Sequence, residues 1–396
     1  MDKNTNPVDG ICRKMLLAII SFFMLSVLVV KASFAQNQAY AVFDHGTLTF
    51  RFDNKKPDDA YVINYPTNYG RNVTINWSWT PIKPRIEKVV FDESFRKYEP
   101  TGCAFWFSEC EKLTEIQGMK ENLNTSKVSK MGSMFAYCSS LKSIDVSGFD
   151  TENVDDMGGM FMGCSSLTEL DVSKFNTSKV KYMDGMFFVC SSLTQLDVSS
   201  FDTENVEDMG SMFSCCSSLL SLDVTGFNTQ KVTNLGDMFN NCSSLTVLDV
   251  RGFDTKNVKN MGGLFSGCSN LTSIDLSNFD TNNVTDMSGL FQGCNHLNNI
   301  NLGSFNTNNV TDMSVMFNDC SNISCLNLSG FNTKNVTKMF GMFASCTNLT
   351  DLNISTFNTA NVEHMGSMFS NCNSLTQIDL SSFNTENVQK MDYMFE

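Results

Sequence analysis

From Phe135 onward the apolar side chains fall into one pattern that repeats every 26 residues. Phenylalanine stands at 135, 161, 187, 213, 239, 265, 291, 317, 343, 369 and 395, and a cysteine follows each of the first ten by three positions, from Cys138 to Cys372. A period this strict marks a solenoid, whose units bury their apolar faces only against their neighbours. In the unit Phe135 to Met160, FAYCSSLKSIDVSGFDTENVDDMGGM, the residues Leu141, Ile144 and Val146 have L-x-x-L-x-L spacing. The last two point inward from a short strand, and Asp145 between them points out. Val154, Met157, Met160, Phe161 and Cys164 follow at steps of 3, 3, 1 and 3, which predicts the buried stripe of a short helix. Asn153 with Asp156 has the spacing of a capping box at the start of that helix, and Asn205/Asp208, Asn283/Asp286 and Asn309/Asp312 repeat it. The expected architecture is an α/β solenoid of 26-residue strand-plus-short-helix repeats. Ten strands spaced at ~4.8 Å would form a parallel sheet about 50 Å long.

The array has an irregular beginning. A looser unit with Phe107, Cys110, Leu113 and Ile116 gains two residues around Met119 and rejoins the register at Thr125, and a half-unit precedes it at Ile86 to Phe91. Residues 86–134 are therefore read as irregular first repeats, 135–394 as ten regular ones, and 395–396 as the start of an incomplete eleventh. No polar cap closes that end, as expected of a fragment or of a chain whose cap and anchor lie further on. Upstream the composition changes: all six prolines and all three tryptophans precede residue 107. Ala39 to Phe52 reads as two strands joined at Asp44-His45-Gly46, and Val62 to Trp79 alternates well enough for further strands. Residues 36–85 are thus expected to form a small β-rich N-terminal cap. Its polar loop from Asp53 to Asp59 matches no EF-hand spacing.

Residues 1–35 read as a signal peptide. Lys3, Arg13 and Lys14 precede an apolar run from Met15 to Val30, and Ser33-Phe34-Ala35 puts small residues at the −3 and −1 positions for cleavage before Gln36. The run falls short of the ~20 residues that span a bilayer, and no second run approaches that length. The mature chain is expected to be secreted or held at the cell surface, without a transmembrane anchor of its own.

The unit C-S-S-L-T-x-L-D-V-S-x-F-[ND]-T-x-[NK]-V-x-x-M-x-x-M-F resembles that of the bacterial BspA-like leucine-rich-repeat surface proteins, over about 290 of the 396 residues. The signal peptide and β-rich leader resemble the same family's N-terminal arrangement. The resemblance implies a leucine-rich-repeat-like (LRR-like) fold and a bacterial surface protein without enzymatic activity, in a group regarded as adhesins or host-interaction proteins.

Charge and chemistry narrow the remaining classes. A net charge of −14, with no cluster of Lys and Arg, repels phosphate backbones and argues against nucleic acid as a partner. Three scattered histidines, His45, His296 and His364, offer neither a base for any Ser or Cys nor ligand spacing for a metal. No catalytic residue, metal site or cofactor is assigned. The cysteine column is expected to consist of small buried hydrophobes rather than a disulfide ladder, because parallel Cβ vectors on stacked units hold the sulfurs apart. Cys103 with Cys110, outside the regular column, is the one pair considered for a disulfide. The Met pairs, such as Met157/Met160, read as core, and the threonine of every unit, from Thr151 to Thr385, as a corner residue bonding turn backbone. Asn-x-Ser/Thr triplets at Asn283 and Asn309 fall out of the repeat itself.

The outward strand position carries Asp145, Asp171, Asp197, Asp223, Asp249 and Asp275, then Asn301, Asn327, Asn353 and Asp379. Stacked carboxylates repel, so something must offset them. One reading is a hydrogen bond from each side chain to nearby backbone or serine hydroxyls, which Asn also makes; the other is an acidic face for a cationic partner. With small flanking residues the face is open, suited to a macromolecule rather than a metabolite. The leading expectation is a protein or glycan partner on a host, matrix or bacterial surface, bound through the Asp145 to Asp275 column. The runner-up is a self-associating surface-layer component, and a carbohydrate-active enzyme is a remote third.

Overall fold

The computed structural model describes residues 36–63 and 77–396. The expected signal peptide and most of the expected strands between Val62 and Trp79 lie outside these residues. The chain opens with a hairpin, β1 (Gln38–Asp44) and β2 (Thr47–Asp53), turning at His45 and Gly46, both at positive φ. A short β3 (Tyr61–Val62) pairs antiparallel with β1, while β4 (Lys88–Phe91) and β5 (Glu115–Gln117) add parallel beyond β2, giving the order β3-β1-β2-β4-β5. The cap and the first turns of the solenoid therefore share one sheet. Phe50, Phe91, Phe95, Trp79 and Trp106 pack beneath it. Lys83 is buried there, donating to Phe105 O at 3.2 Å and Ser108 Oγ at 2.7 Å, and loss of hydration holds its ammonium below the usual lysine range.

Beyond a short 3-10 helix at Glu93–Lys97 and a single helical turn, α1 (Met119–Asn122), the array is a solenoid without helices among the described residues. The helix expected at Val154 to Cys164 is instead a chain of turns. Met160 N–H donates to Met157 O and Cys164 N–H to Phe161 O, both at 3.1 Å, with Gly159 (φ 62°) and Gly163 (φ 71°) at the left-handed third position of each turn. Every second amide leaves the coil altogether. Met157, Gly159, Phe161 and Gly163 donate to Tyr182, Asp184, Met186 and Phe188 of the next coil. Consecutive β-turns put residues three apart on one side, as a helix does, so the apolar spacing was real but its cause was different. Two left-handed positions per unit, held by Gly in some units and by Ser, Tyr, Val, Cys, Asp or Asn in others, are what a helix cannot accommodate.

The capping-box pairs are also reassigned. Asp156 Oδ1 accepts from Gly158 N–H at 3.0 Å in a local turn, and Asn153 Nδ2 donates back to Ser126 O of the preceding coil at 3.1 Å. Asn205, Asn283 and Asn309 make the same backward bond.

The expected ten-strand sheet is mostly extended chain without a regular ladder. Only β6 (Cys325–Asn327) and β7 (Asp351–Asn353) pair as strands on that side, with a further bridge from Ser273 to Asn299. A continuous column of one-residue parallel bridges instead runs along another side, from Lys130 through Asp156, Tyr182 and onward every 26 residues to Lys390. Inside, the phenylalanines from Phe107 to Phe395 stack ring on ring with centroids 5.5–6.1 Å apart. A second buried column runs from Phe149 to Phe357.

The cysteines of the column are free thiols, and those from Cys138 to Cys346 are fully buried; each Sγ donates to a phenylalanine carbonyl of an earlier coil, as Cys164 does to Phe135 O at 3.2 Å. Burial pushes the Cys164, Cys216 and Cys268 thiols up to about 12. Cys103 and Cys110, the pair considered for a bridge, are likewise free and buried, and Cys110 takes the column's place in the first coil, closing a turn on Phe107 O at 3.0 Å. The corner threonines reach across coils rather than around their own turn. Thr203 Oγ1 donates to Asn228 O at 3.0 Å and accepts from Asn228 N–H at 2.7 Å.

Candidate functional site

The face carrying the aspartate column is built by the segment that follows each buried cysteine. In the first regular unit Leu141 and Val146 are buried and Ile144 half-buried, which leaves Lys142, Ser143 and Asp145 facing water. Asp145 Oδ1 accepts from Ser147 N–H at 3.0 Å and Ser147 Oγ–H at 2.6 Å, while Oδ2 meets Lys120 Nζ at 3.3 Å. Asp171, Asp197, Asp223 and Asp275 each accept from the amide two residues on, at 2.9–3.0 Å. Asp249 is gripped further, by Arg251 Nε at 3.0 Å and Nη2 at 2.7 Å. The three asparagines make the identical bond, from Gly303, Ser329 and Ser355 N–H. Every member of the column thus closes a local turn with one oxygen, which is why Asn and Asp interchange.

These bonds also set the titration. Side-chain and backbone donors two residues on hold the carboxyls of Asp145, Asp171, Asp197 and Asp223 below the usual range, helped at Asp145 by Lys120 and opposed at the other three by their neighbours in the column. The Arg251 guanidinium takes Asp249 down to about 2. The column therefore stays ionised throughout the physiological range.

Coils one to three of this face form a shallow groove of about 610 Å³ with Asp145, Asp171 and Asp197 along one side and Glu169 and Gln195 beside them. Leu220 (61% exposed) and Val247 (72%) lie on the same face, and sequence reasoning did not single them out. Their signal was present: each stands beside a buried leucine at an outward position where other units carry Thr, Ser or Gln. Cys325 is exposed there too, with Sγ 3.5 Å from Asp351 Oδ2. Among the described residues no three His, Cys, Asp or Glu side chains converge as metal ligands, and no helix is long and apolar enough to cross a membrane.

A family described as Mycoplasma protein of unknown function, DUF285, matches residues 101–222, 217–331 and 313–396, together 296 of 396 residues. The chain belongs to that family. The DUF285 match covers the whole regular array and begins within the irregular first repeats, just before the looser unit of Phe107. No curated protein matches the chain. Among solved structures it is similar to a leucine rich cell surface protein of Faecalibacterium prausnitzii A2-165, at 15% identity and a TM-score of 0.38 over 90% of this chain and 93% of that one. It is also similar to a leucine-rich repeat protein of Eubacterium ventriosum, at 17% identity and a TM-score of 0.34 over 88% and 96% of the two chains.

Proposed function

We propose that this DUF285 chain is an exported, non-enzymatic surface protein that binds a macromolecular partner, a protein or glycan on another cell or matrix, through the aspartate face. The observation that carries the reading is the open groove over Asp145, Asp171 and Asp197: one carboxylate per coil, held ionised by its own turn, at a spacing set by the solenoid. A single unit offers too little to bind tightly, so affinity must come from several coils engaged at once. Such a site selects long cationic partners and gains association rate from charge.

The test is the triple variant Asp171→Asn, Asp197→Asn, Asp223→Asn. The local turns should persist, since Asn301, Asn327 and Asn353 close them in the native chain. Thermal stability should hold while binding to a partner recovered from matrix or cell-surface extracts weakens and loses its salt dependence. Unchanged binding at low salt would move the site elsewhere. Export is tested separately: protein recovered from a bacterial host should begin at Gln36.

A further inference from the structure

On the side of the solenoid that bears the bridge column, three consecutive coils depart together from the repeat. The bridge position is Asp or Asn in every coil from Asp208 to Asp312, then becomes Lys338, His364 and Lys390. Two residues on, where Gly210, Gly236, Gly262, Ser288 and Ser314 stand in earlier coils, coil eight has Phe340. Three residues on, where Gly, Ser, Asp or Val precede it, the last coil has Tyr393, held at a φ of 58° that a bulky side chain adopts at a cost. Neither ring joins the core: Phe340 is 50% and Tyr393 68% exposed.

The departures converge. Phe340, Tyr393 and Gly366 line a single groove of about 470 Å³, a size typical of small-molecule sites. A Cβ on Gly366 would lie 3.6 Å from the Phe340 ring and 3.2 Å from Asp392 O, so the glycine leaves the floor between the two aromatic residues flat. The remaining lining mixes donors and acceptors, with Ser314 and Ser367 hydroxyls, Lys390 and Asp392. Lys338 also lines it, but its ammonium is bound by Asp312 Oδ2 at 3.1 Å. His364 leaves Nδ1 without a hydrogen-bond partner. Lys338 is thus neutralised by Asp312 behind it and Lys390 is matched by Asp392 in the lining, so the groove carries no net charge toward a ligand.

We propose that this groove is a carbohydrate site for a neutral, β-linked hexopyranose chain. Such a sugar ring presents an apolar C–H face, which suits the exposed aromatic rings, and a rim of hydroxyls that each donate and accept, which suits the mixed serine, lysine and aspartate edge. Charge complementarity selects an uncharged ligand: an anionic one would meet Asp392 and a cationic one Lys390, while Lys338 is already neutralised by Asp312. A glycine floor lets the ring lie close to backbone. The site shares no residue with the aspartate face and can fail or hold independently of it.

The experiment is calorimetric titration of the full chain with cellohexaose, alongside a hexamer of uronic acids and an aromatic-rich neutral peptide. Cellohexaose should bind in the millimolar range or tighter, and the other two at least tenfold more weakly. Phe340→Gly and Tyr393→Ser restore residues that other coils carry at the same positions, so each should fold with an unchanged melting curve and lose at least tenfold in affinity for cellohexaose. Leu220→Ser, on the other face, should bind it as the unaltered chain does. No binding at millimolar cellohexaose, full affinity in both groove variants, or tighter binding of the uronic acid hexamer or the peptide would each overturn the proposal.

Discussion

Thr203 shows how a single side chain can hold two coils together. Its buried hydroxyl satisfies both backbone groups of Asn228 in the next coil. Thr203→Val keeps the shape and removes both bonds from a part-buried amide and carbonyl, at a cost of about 1 to 3 kcal/mol. A urea midpoint that does not move would deny the rung its role. Asp249 makes a second case at this scale. Its folded-state carboxyl titrates near 2, below the value it takes in the unfolded chain, so the unfolded state binds the proton first on acidification. Its stabilising effect is complete above the unfolded value and is lost as pH falls toward 2. Arg251→Ala should move the Asp249 carboxyl up, read by NMR titration, and flatten that part of the acid unfolding curve.

At the scale of elements, the sequence and the structure agree on period, register and inward residues, and part on conformation. The β1/β2 hairpin, the half-unit that becomes β4 and the inward placing of Leu141, Val146, Val154 and Met157 were all legible, because burial leaves a direct mark on residue type. The helix was not, because β-turns and helices both bring every third or fourth residue to one side. What distinguishes them is the left-handed residue, and sequence marks it only where it is glycine; Ser211, Asp237 and Asn241 occupy the same conformation unannounced. The aspartate column was legible as outward-facing, but its turn-closing bond was one of two open readings, and the groove at Phe340 needed coordinates to bring three coils together. A pair of substitutions separates turn from helix. Gly293 has φ 69° with ample room around it, so Gly293→Ala should cost about 1 to 2 kcal/mol through backbone strain alone. Gly330, with open space at its Cβ and no left-handed φ, should accept Ala within about 0.5 kcal/mol. In a helix the first change would stabilise; chemical denaturation of both variants decides.

Across the whole molecule, every coil past the cap is held by contacts to its two neighbours, so stability is shared along a line rather than around one centre. The thiols report that sharing. Cys325 and Cys215, outside the column, are exposed and half-buried respectively and Cys372 at its end is half-buried, whereas the column from Cys138 to Cys346 is sealed among stacked phenylalanines. A maleimide should label Cys325 first, Cys215 and Cys372 more slowly, and the sealed thiols only after unfolding, with the label order read by peptide mass spectrometry. A change in the middle of the line should then unseal its neighbours. Phe187 stacks at 6.0 Å on Phe161 and 5.7 Å on Phe213, wholly buried, so Phe187→Ala removes two ring contacts and opens a cavity worth about 3 to 5 kcal/mol. Lys181, exposed and only 3.7 Å from Glu207, is a matched control whose replacement by Ala should change little. With Phe187→Ala, labelling of Cys164, Cys190 and Cys216 should quicken together while Cys110, near the cap, stays protected, because loss of one coil's packing weakens its neighbours first. Equal quickening at Cys110 would mean that array and cap unfold as one cooperative block, and no change at Cys164 and Cys216 would mean that the coils are not coupled through their rings.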